Sequence, residues 1–247
     1  MSILHAENFD GVVAPAIPSG WNVDPNYATE TAVFRSSPNG LQIPSSAAFG
    51  SDFYATWGTA DGSAGNITVS CYVNPGGTRG IFGGVTARGS ASTLDSSMSS
   101  QYVCWLTSDP AWPSLTPRSQ FTIGLIQSGS LTTLANWGSS TQGNFTSGAW
   151  FQVVLTCNGS SLSAQCIRDS DGEYLQSNMG FSATPATLTA SDSTLSGSGY
   201  AGIISQINFA ETITFDDWEL DSLASVLWPY MRQYQVPYRP PNTQFWV

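Results

Sequence analysis

The sequence predicts an all-β protein, an antiparallel sandwich of two sheets with an extended C-terminal arm. Apolar and polar residues alternate with a period of two in most apolar segments, which is typical of half-buried strands. Clusters of Gly, Pro, Asn and Ser separate these segments at short intervals, as in sandwiches. Helical spacing is limited to Leu223, Val226 and Leu227, and Pro229 ends that stretch.

Length and composition favour one large folded domain and an arm. A chain of 247 residues with 41% hydrophobic residues has enough apolar material for a single β core. Nine Trp, twelve Phe and nine Tyr argue against intrinsic disorder, although only 10% of the residues are charged. We place the sandwich at residues 1–222 and the arm at residues 223–247.

The charge balance excludes several classes of partner. The net charge is −10, with seven Arg and no Lys, so nucleic acid is not an expected partner. No apolar run approaches the length of about 18 residues that spans a membrane, so no membrane insertion is expected. The first residues resemble no signal peptide, and we expect a protein that is made and used without export.

Seven segments have the alternation of strands. Ile81, Phe82 and Val85 surround Gly83-Gly84, a pair that indicates a bulge or a close backbone approach. Three Ser-, Thr- and Gly-rich segments, at 88–100, 138–147 and 187–199, are predicted to be surface loops. The predicted strands cover residues 67–73, 101–107, 120–127, 150–156, 162–168, 200–205 and 213–220.

Two of these strands form a predicted hairpin that contains two of the four cysteines. Placing Cys157 opposite Leu162 puts Val153 opposite Cys166, which separates the thiols by about 13 Å along the strands. That distance is too long for a disulfide. No CxxC pair or zinc spacing occurs either, so we expect free, buried thiols, in agreement with a reducing compartment.

Several segments together resemble the concanavalin A-like, laminin-G-like jelly-roll family, over roughly residues 5–222. The resemblance implies a jelly-roll sandwich; the family includes sugar-binding modules, hydrolases and structural domains, so it does not determine a function. The segments that carry it are 7–11 (ENFDG), 18–21 (PSGW), 150–155 (WFQVVL), 159–172 (GSSLSAQCIRDSDG), 200–202 (YAG) and 215–220 (FDDWEL).

A jelly roll places its first and last strands side by side, which suggests a metal site. Glu7 and Asn8 would then meet Asp216 and Asp217, and clustered carboxylates need a cation or a proton to coexist. We therefore consider a structural Ca²⁺ held by Glu7 and Asp217. The alternative is that these acids are solvated or cap turns.

The sequence offers little for catalysis, and we expect no enzyme. His5 is the only histidine and is expected at the surface or at a strand edge, and no serine lies in a G-x-S-x-G elbow. Laminarinase-type jelly rolls place an E-x-D-x-E set on one strand. Asp217, Glu219 and Asp221 have this spacing, but every acid is exchanged for the other type. A glycoside hydrolase is therefore retained only as the second alternative.

Tryptophans are the candidates for binding glycans. Trp57, Trp112 and Trp137 are assigned as possible stacking residues, with Trp112 between two prolines. The alternative is that these tryptophans belong to the core, and for Trp105 inside a predicted strand the core is favoured.

The arm is the clearest indication of a partner. Proline keeps residues 224–247 from regular structure, and aromatic and Arg residues are enriched at protein interfaces. Packing of the arm back on its own sandwich is the alternative. The residues assigned to partner binding are Trp228, Tyr230, Arg232, Tyr234, Tyr238, Arg239, Phe245 and Trp246.

These inferences lead to one main hypothesis. The chain is predicted to be a non-catalytic virion structural protein of the tailed-phage type, such as a capsid decoration (cement) or surface protein, assembled in the host cytoplasm. Its partners would be a capsid protein or another virion protein, further copies of itself and surface glycans. The first alternative is a carbohydrate-binding, lectin-like module.

Overall fold

The computed structural model describes residues 2–11, 13–23, 28–30, 33–36, 38–43, 52–58, 65–76, 81–92, 100–108, 119–139, 145–207 and 212–223. Its regular elements in these ranges are strands. In chain order they are β1 (Ser2–Glu7), β2 (Trp21–Val23), β3 (Ala28–Glu30), β4 (Gly40–Ile43), β5 (Asp52–Trp57), β6 (Ile67–Pro75), β7 (Ile81–Gly89), β8 (Gln101–Ser108), β9 (Ser119–Gln127), β10 (Ser130–Ser139), β11 (Phe151–Asn158), β12 (Ser161–Arg168), β13 (Tyr174–Leu175), β14 (Phe181–Ser182), β15 (Leu188–Ser191), β16 (Tyr200–Ile207) and β17 (Ile213–Ser222). Within the described ranges, no helix is both long and apolar enough to cross a membrane.

The strands form two antiparallel sheets, which confirms the predicted fold class. The first sheet has ten strands in the order β14-β13-β12-β11-β6-β17-β4-β3, with β1 added to β17 and β15 to β12. The second sheet has seven strands in the order β10-β9-β8-β7-β16-β5-β2. The neighbourhood of the first strand and the last strand, β1 and β17, is as the jelly-roll resemblance implied.

The core lies between the inner faces of the two sheets. Along β6 and β11 of the first sheet, buried residues alternate with half-buried ones, as expected of strands with one face in a core. Val69, Val153 and Leu155 from these strands pack with Leu106 and Phe121 of the second sheet in one cluster. The period-two pattern of the sequence therefore identifies this inner layer correctly.

The β11–β12 hairpin has the predicted register. Cys157 lies opposite Leu162 and Val153 lies opposite Cys166. All four cysteines, including Cys71 and Cys104, are free and buried. The prediction of separated, unlinked thiols is confirmed.

All three predicted loops overlap strands. The segment 187–199 includes β15, and the segments 88–100 and 138–147 begin with the last residues of β7 and β10. The sequence did not predict β10 because polar and apolar residues do not alternate along it, and each of its ten residues is half-buried or exposed.

Gly83 and Gly84 mark a close backbone approach, one of the two predicted alternatives. A Cβ atom on Gly84 would lie 1.9 Å from the carbonyl oxygen of Cys104 on β8. The β7–β8 register runs without a shift from Ile81 to Ala87, so there is no bulge between these two strands at the glycine pair. Only glycine fits at position 84 because the neighbouring strand occupies the space of a side chain.

Candidate ligand-binding face

The central strands of the second sheet are buried on both of their faces. Its central strands send alternate side chains into the core, and the remaining side chains point away from the first sheet. Every described strand belongs to one of the two sheets, so none of the described strands lies over this outer face. Nevertheless its side chains are buried, except for a half-buried Trp105. We define the outer face by Tyr54, Thr56, Thr86, Gln101, Val103, Trp105, Thr122, Ile126 and Ile204.

The apolar residues of the outer face form a cluster separate from the core. Tyr54, Val103, Ile126 and Ile204 pack together, and Trp105 lies against them. Its neighbours in β8, Cys104 and Leu106, point into the core, so Trp105 between them points to the opposite face of the sheet.

A row of paired residues crosses four strands of the outer face. Tyr54 on β5 lies opposite Ile204, Ile204 opposite Gly84, and Gly84 opposite Trp105 on β8. Three inter-strand spacings separate the two aromatic residues, which amounts to about 14 Å. Gly84 contributes no side chain between Ile204 and Trp105 in this row.

Polar side chains line the same face. Thr56 and Thr86 lie on either side of Gly202, and Thr122 lies opposite Trp105. The Oγ1 atoms of these threonines and both amide atoms of Gln101 are buried, and they have no hydrogen-bond partner in the part of the chain that the structure describes. A buried polar atom without a partner costs about 1–3 kcal/mol, and native proteins contain few of them.

The outer face therefore has the chemistry of a small-molecule site. Such sites combine an apolar and aromatic lining with a few polar groups that fix the orientation of the ligand. The nine residues that define this face carry no charged side chain. This combination suits a neutral ligand with an apolar ring face and several hydroxyl groups.

The glycan-stacking tryptophans predicted from the sequence lie elsewhere or outside the described residues. Trp57 stacks on His5, with ring centroids 3.6 Å apart, and packs against the core. The ring centroids of Trp137 and Phe121 are 6.2 Å apart, and Trp137 also packs against the core. Trp112 lies outside the described residues, as do all the assigned residues of the arm. A role for these residues in binding stays a prediction.

Trp105 packs against the apolar cluster of the outer face and not against the core between the sheets. The strand β8 is apolar on both faces, since Tyr102, Cys104 and Leu106 alternate with Val103 and Trp105. In such a strand both sets of alternate residues are apolar, so the sequence does not show which set faces the core. The sequence signal for the outer face is this continuous apolar run, which is typical of a strand that is buried on both sides.

Glu7 and Asp217, the predicted calcium ligands, have separate partners. Glu7 Oε1 accepts a hydrogen bond of 2.9 Å from the amide of Phe9, and so caps a turn. The Asp217 carboxylate is paired with the Arg35 guanidinium and accepts from the Ser36 hydroxyl at 3.0 Å. The described part of the chain contains no group of three or more His, Cys, Asp or Glu side chains that could hold a metal ion.

Asp216, named in the predicted carboxylate cluster but not as a ligand, has a role that the sequence did not indicate. It is fully buried and accepts 2.8 Å hydrogen bonds from the amides of Arg35, Ser36 and Asp217. Burial, the largest influence, raises the pKa of Asp216 to about 6. A register shift against β6 lies between Asp216 and Glu219, and Asp217 has a φ of 46° there. The bulge takes Asp217 out of the regular alternation that a set of three catalytic acids requires.

Arg35 balances the charge around this bulge. Its guanidinium lies 3.6 Å from the ring centroid of Tyr72 and donates to Asp169 and Asp217. Because Arg35 and Asp217 are far apart in the chain, no sequence pattern indicated this pair. The group holds the segment 33–36 on the outer side of the first sheet, which is a structural role.

Comparisons with known proteins identify the fold. No family model matches the sequence, and no curated protein matches it. Among solved structures, the carbohydrate binding module CBM66 from Bacillus subtilis matches with a TM-score of 0.52 and 14% identity, over 82% of this chain and 96% of that one. Lectin II from Ulex europaeus matches with a TM-score of 0.54 and 15% identity, over 89% and 98%.

A third structure is the exoplasmic/lumenal domain of VIP36 in its Ca²⁺/Man3GlcNAc-bound form. Its TM-score is 0.57 and its identity 12%, over 91% of this chain and 93% of that one. A xylan β-1,4-xylosidase from Bacillus halodurans also matches, with a TM-score of 0.53 and 12% identity, but the chain spans only 39% of its length. At these identities the likeness shows the fold, a lectin-like jelly-roll sandwich, and gives no support to a phage origin.

Proposed function

We propose that this protein is a non-catalytic carbohydrate-binding module whose ligand lies on the outer face of the second sheet. The observation that carries the proposal is the set of buried polar atoms of Thr56, Thr86, Thr122 and Gln101 on this face, which have no partner among the described residues; of these, Thr122 lies opposite Trp105. Sugar hydroxyl groups both donate and accept hydrogen bonds, so a glycan supplies what each of these atoms lacks. The apolar face of a pyranose ring suits the indole of Trp105.

The ligand in this proposal is a neutral glycan. The described side chains of the outer face carry no charge. An acidic sugar would lose hydration there without gaining a cationic partner, which is unfavourable. The net charge of −10 adds long-range repulsion against acidic polysaccharides.

The structural neighbours support a binding role more than the alternatives. Two of them are named as a carbohydrate-binding module and a lectin, and a third was solved with a bound glycan. The virion role predicted from the sequence depends on an arm that lies outside the described residues, and none of these neighbours favours it. Hydrolysis is disfavoured by the bulge and by the pairing of Asp217 with Arg35.

The first prediction tests the outer face with Trp105→Ala. Binding of the wild-type protein to an array of neutral oligosaccharides identifies ligands, and calorimetry gives their dissociation constants. We expect the variant to bind at least tenfold more weakly, a loss of about 1.4 kcal/mol or more, because the aromatic surface beside the polar row is removed.

Trp137→Ala is the matched control, since Trp137 is also half-buried in the second sheet but packs against the core. We expect it to lower stability while leaving the affinity of the folded protein unchanged. The proposal fails if the wild-type protein binds no neutral glycan, or if only the Trp137 variant loses affinity.

A further inference from the structure

The edge strand β10 differs from the other strands that end a sheet. It is the last strand of the second sheet and has ten residues, SLTTLANWGS, with no charged residue and no proline. The opposite end of that sheet is β2, with three residues, and the first sheet ends in β14, with two, and β3, with three. β1, which extends β17, has six residues and includes His5 and Glu7.

Sheet edges are usually protected against pairing with other chains. Short length, charged side chains, proline and bulges are the common devices. The other ends of the two sheets are very short, whereas β10 has only a register shift between Thr133 and Ala135. The parts of β10 before and after this register shift contain no charged residue.

β10 is also accessible. Ser130, Leu131, Thr132 and Thr133 are all exposed, and 47% of Leu131 is accessible to solvent. On one side the strand pairs with β9 along its whole length. In an antiparallel ladder, alternate residues direct their backbone N–H and C=O groups away from the neighbour. Among the described strands only β9 pairs with β10, so within that part of the chain these groups can pair with a further strand beside Ser130–Thr133.

We propose that a second copy of this chain pairs with β10, antiparallel and about a two-fold axis. Identical antiparallel strands are self-complementary, as an isologous interface requires. Each copy carries a net charge of −10, so two copies repel each other over most of their surface. β10 itself adds no charge to such an interface, and its Thr and Trp residues favour β-strands.

The pair joins two sheets of seven strands into one sheet of fourteen. It places the outer faces of the two copies in one continuous layer. Bivalent glycan binding would follow, a consequence that rests on the proposed function; the pairing itself does not.

The experiment measures the mass of the full-length protein by sedimentation equilibrium over a wide concentration range. We expect a reversible dimer for the wild-type protein. Leu131→Glu adds a negative charge to each strand at the interface and is expected to raise the dissociation constant at least tenfold. Circular dichroism and thermal unfolding establish that the variant is folded, and Thr132→Glu replaces it if it is not.

Ile3→Glu on β1 is the matched control, because Ile3 is also an exposed aliphatic residue on an edge strand, 51% accessible. It makes the same change of charge and is expected to leave the dimer intact. A wild-type protein that stays monomeric overturns the proposal. So does a folded Leu131→Glu variant with the wild-type dissociation constant, or a dimer that Ile3→Glu dissociates equally.

Discussion

Individual threonines differ in whether their hydroxyl groups are satisfied. On the first sheet, the Oγ1 atoms of Thr68 and Thr156 lie 3.0 Å apart and form a hydrogen bond across neighbouring strands. On the second sheet, the Oγ1 atoms of Thr56 and Thr86 are buried without a partner in the described chain. The first pair stabilises the fold, whereas the second pair costs free energy that a bound ligand can recover.

Thr86→Val tests this difference at the scale of one atom. Valine has nearly the shape of threonine without the hydroxyl, so the variant removes an unsatisfied group. We expect the free energy of unfolding to rise by about 1 kcal/mol and the affinity for a glycan to fall. Urea denaturation measures the first change and calorimetry the second.

Thr68→Val provides the opposite control. It leaves the Thr156 hydroxyl without its partner, and it is expected to lower the free energy of unfolding by about 1 kcal/mol. Equal destabilisation by both substitutions would mean that the Thr86 hydroxyl is satisfied in the native protein.

At the scale of an element, β17 combines a strand with a polar anchor. Its inner side chains, including Trp218 and Leu220, are buried in the core, and β1, β4 and β6 pair with its edges. The bulge after Asp216 interrupts this regular pattern. The buried carboxylate of Asp216 binds the amides of Arg35 and Ser36, so the bulge fixes a distant segment to the sheet.

Asp216→Asn tests how this anchor depends on pH. The native pKa, about 6, lies above the usual value of 3.8, so between these values the native state holds a proton that the unfolded state has released. The contribution of Asp216 to stability therefore falls as the pH rises from about 4 to 6, by up to about 3 kcal/mol. We expect the Asn variant to lack this decrease when urea unfolding is compared at pH 4 and pH 7.

Asp171→Asn is a control of opposite sign. The hydrogen bond from Arg168 lowers the pKa of Asp171, so its stabilisation is present at neutral pH and is lost on acidification. A pH dependence of Asp216→Asn identical to that of the wild-type protein would show that Asp216 has the same pKa in both states.

At the scale of the whole molecule, the buried thiols report on the integrity of the sandwich. Cys104 comes from β8 of the second sheet, and Cys71, Cys157 and Cys166 come from the first sheet. Burial raises the pKa of the Cys71, Cys104 and Cys166 thiols, so the reactive thiolate is scarce. Access to these residues requires separation of the two sheets.

Reaction with a thiol reagent such as DTNB is therefore expected to follow global unfolding. The native protein should show no rapidly reacting thiol, and all four should react in denaturant. A reductant should leave the melting temperature unchanged because the cysteines form no disulfide. One thiol that reacts rapidly in native buffer would contradict a single closed core.

The sequence by itself determined the inner layer of this protein. The alternation of residues 67–73 and 150–168 predicts strands with one buried face, and the turn at 158–161 determines the hairpin register that keeps Cys157 and Cys166 apart. These features are local, since strand period and turn length depend on neighbouring residues alone.

Only the tertiary structure decided the outer face and the anchor. In β8 both phases are apolar, so the face of Trp105 depends on which side meets the other sheet. Asp216 and Arg35 are distant in the chain and meet only when β17 bulges. Burial and long-range pairing arise from packing between strands, and local sequence contains no record of them.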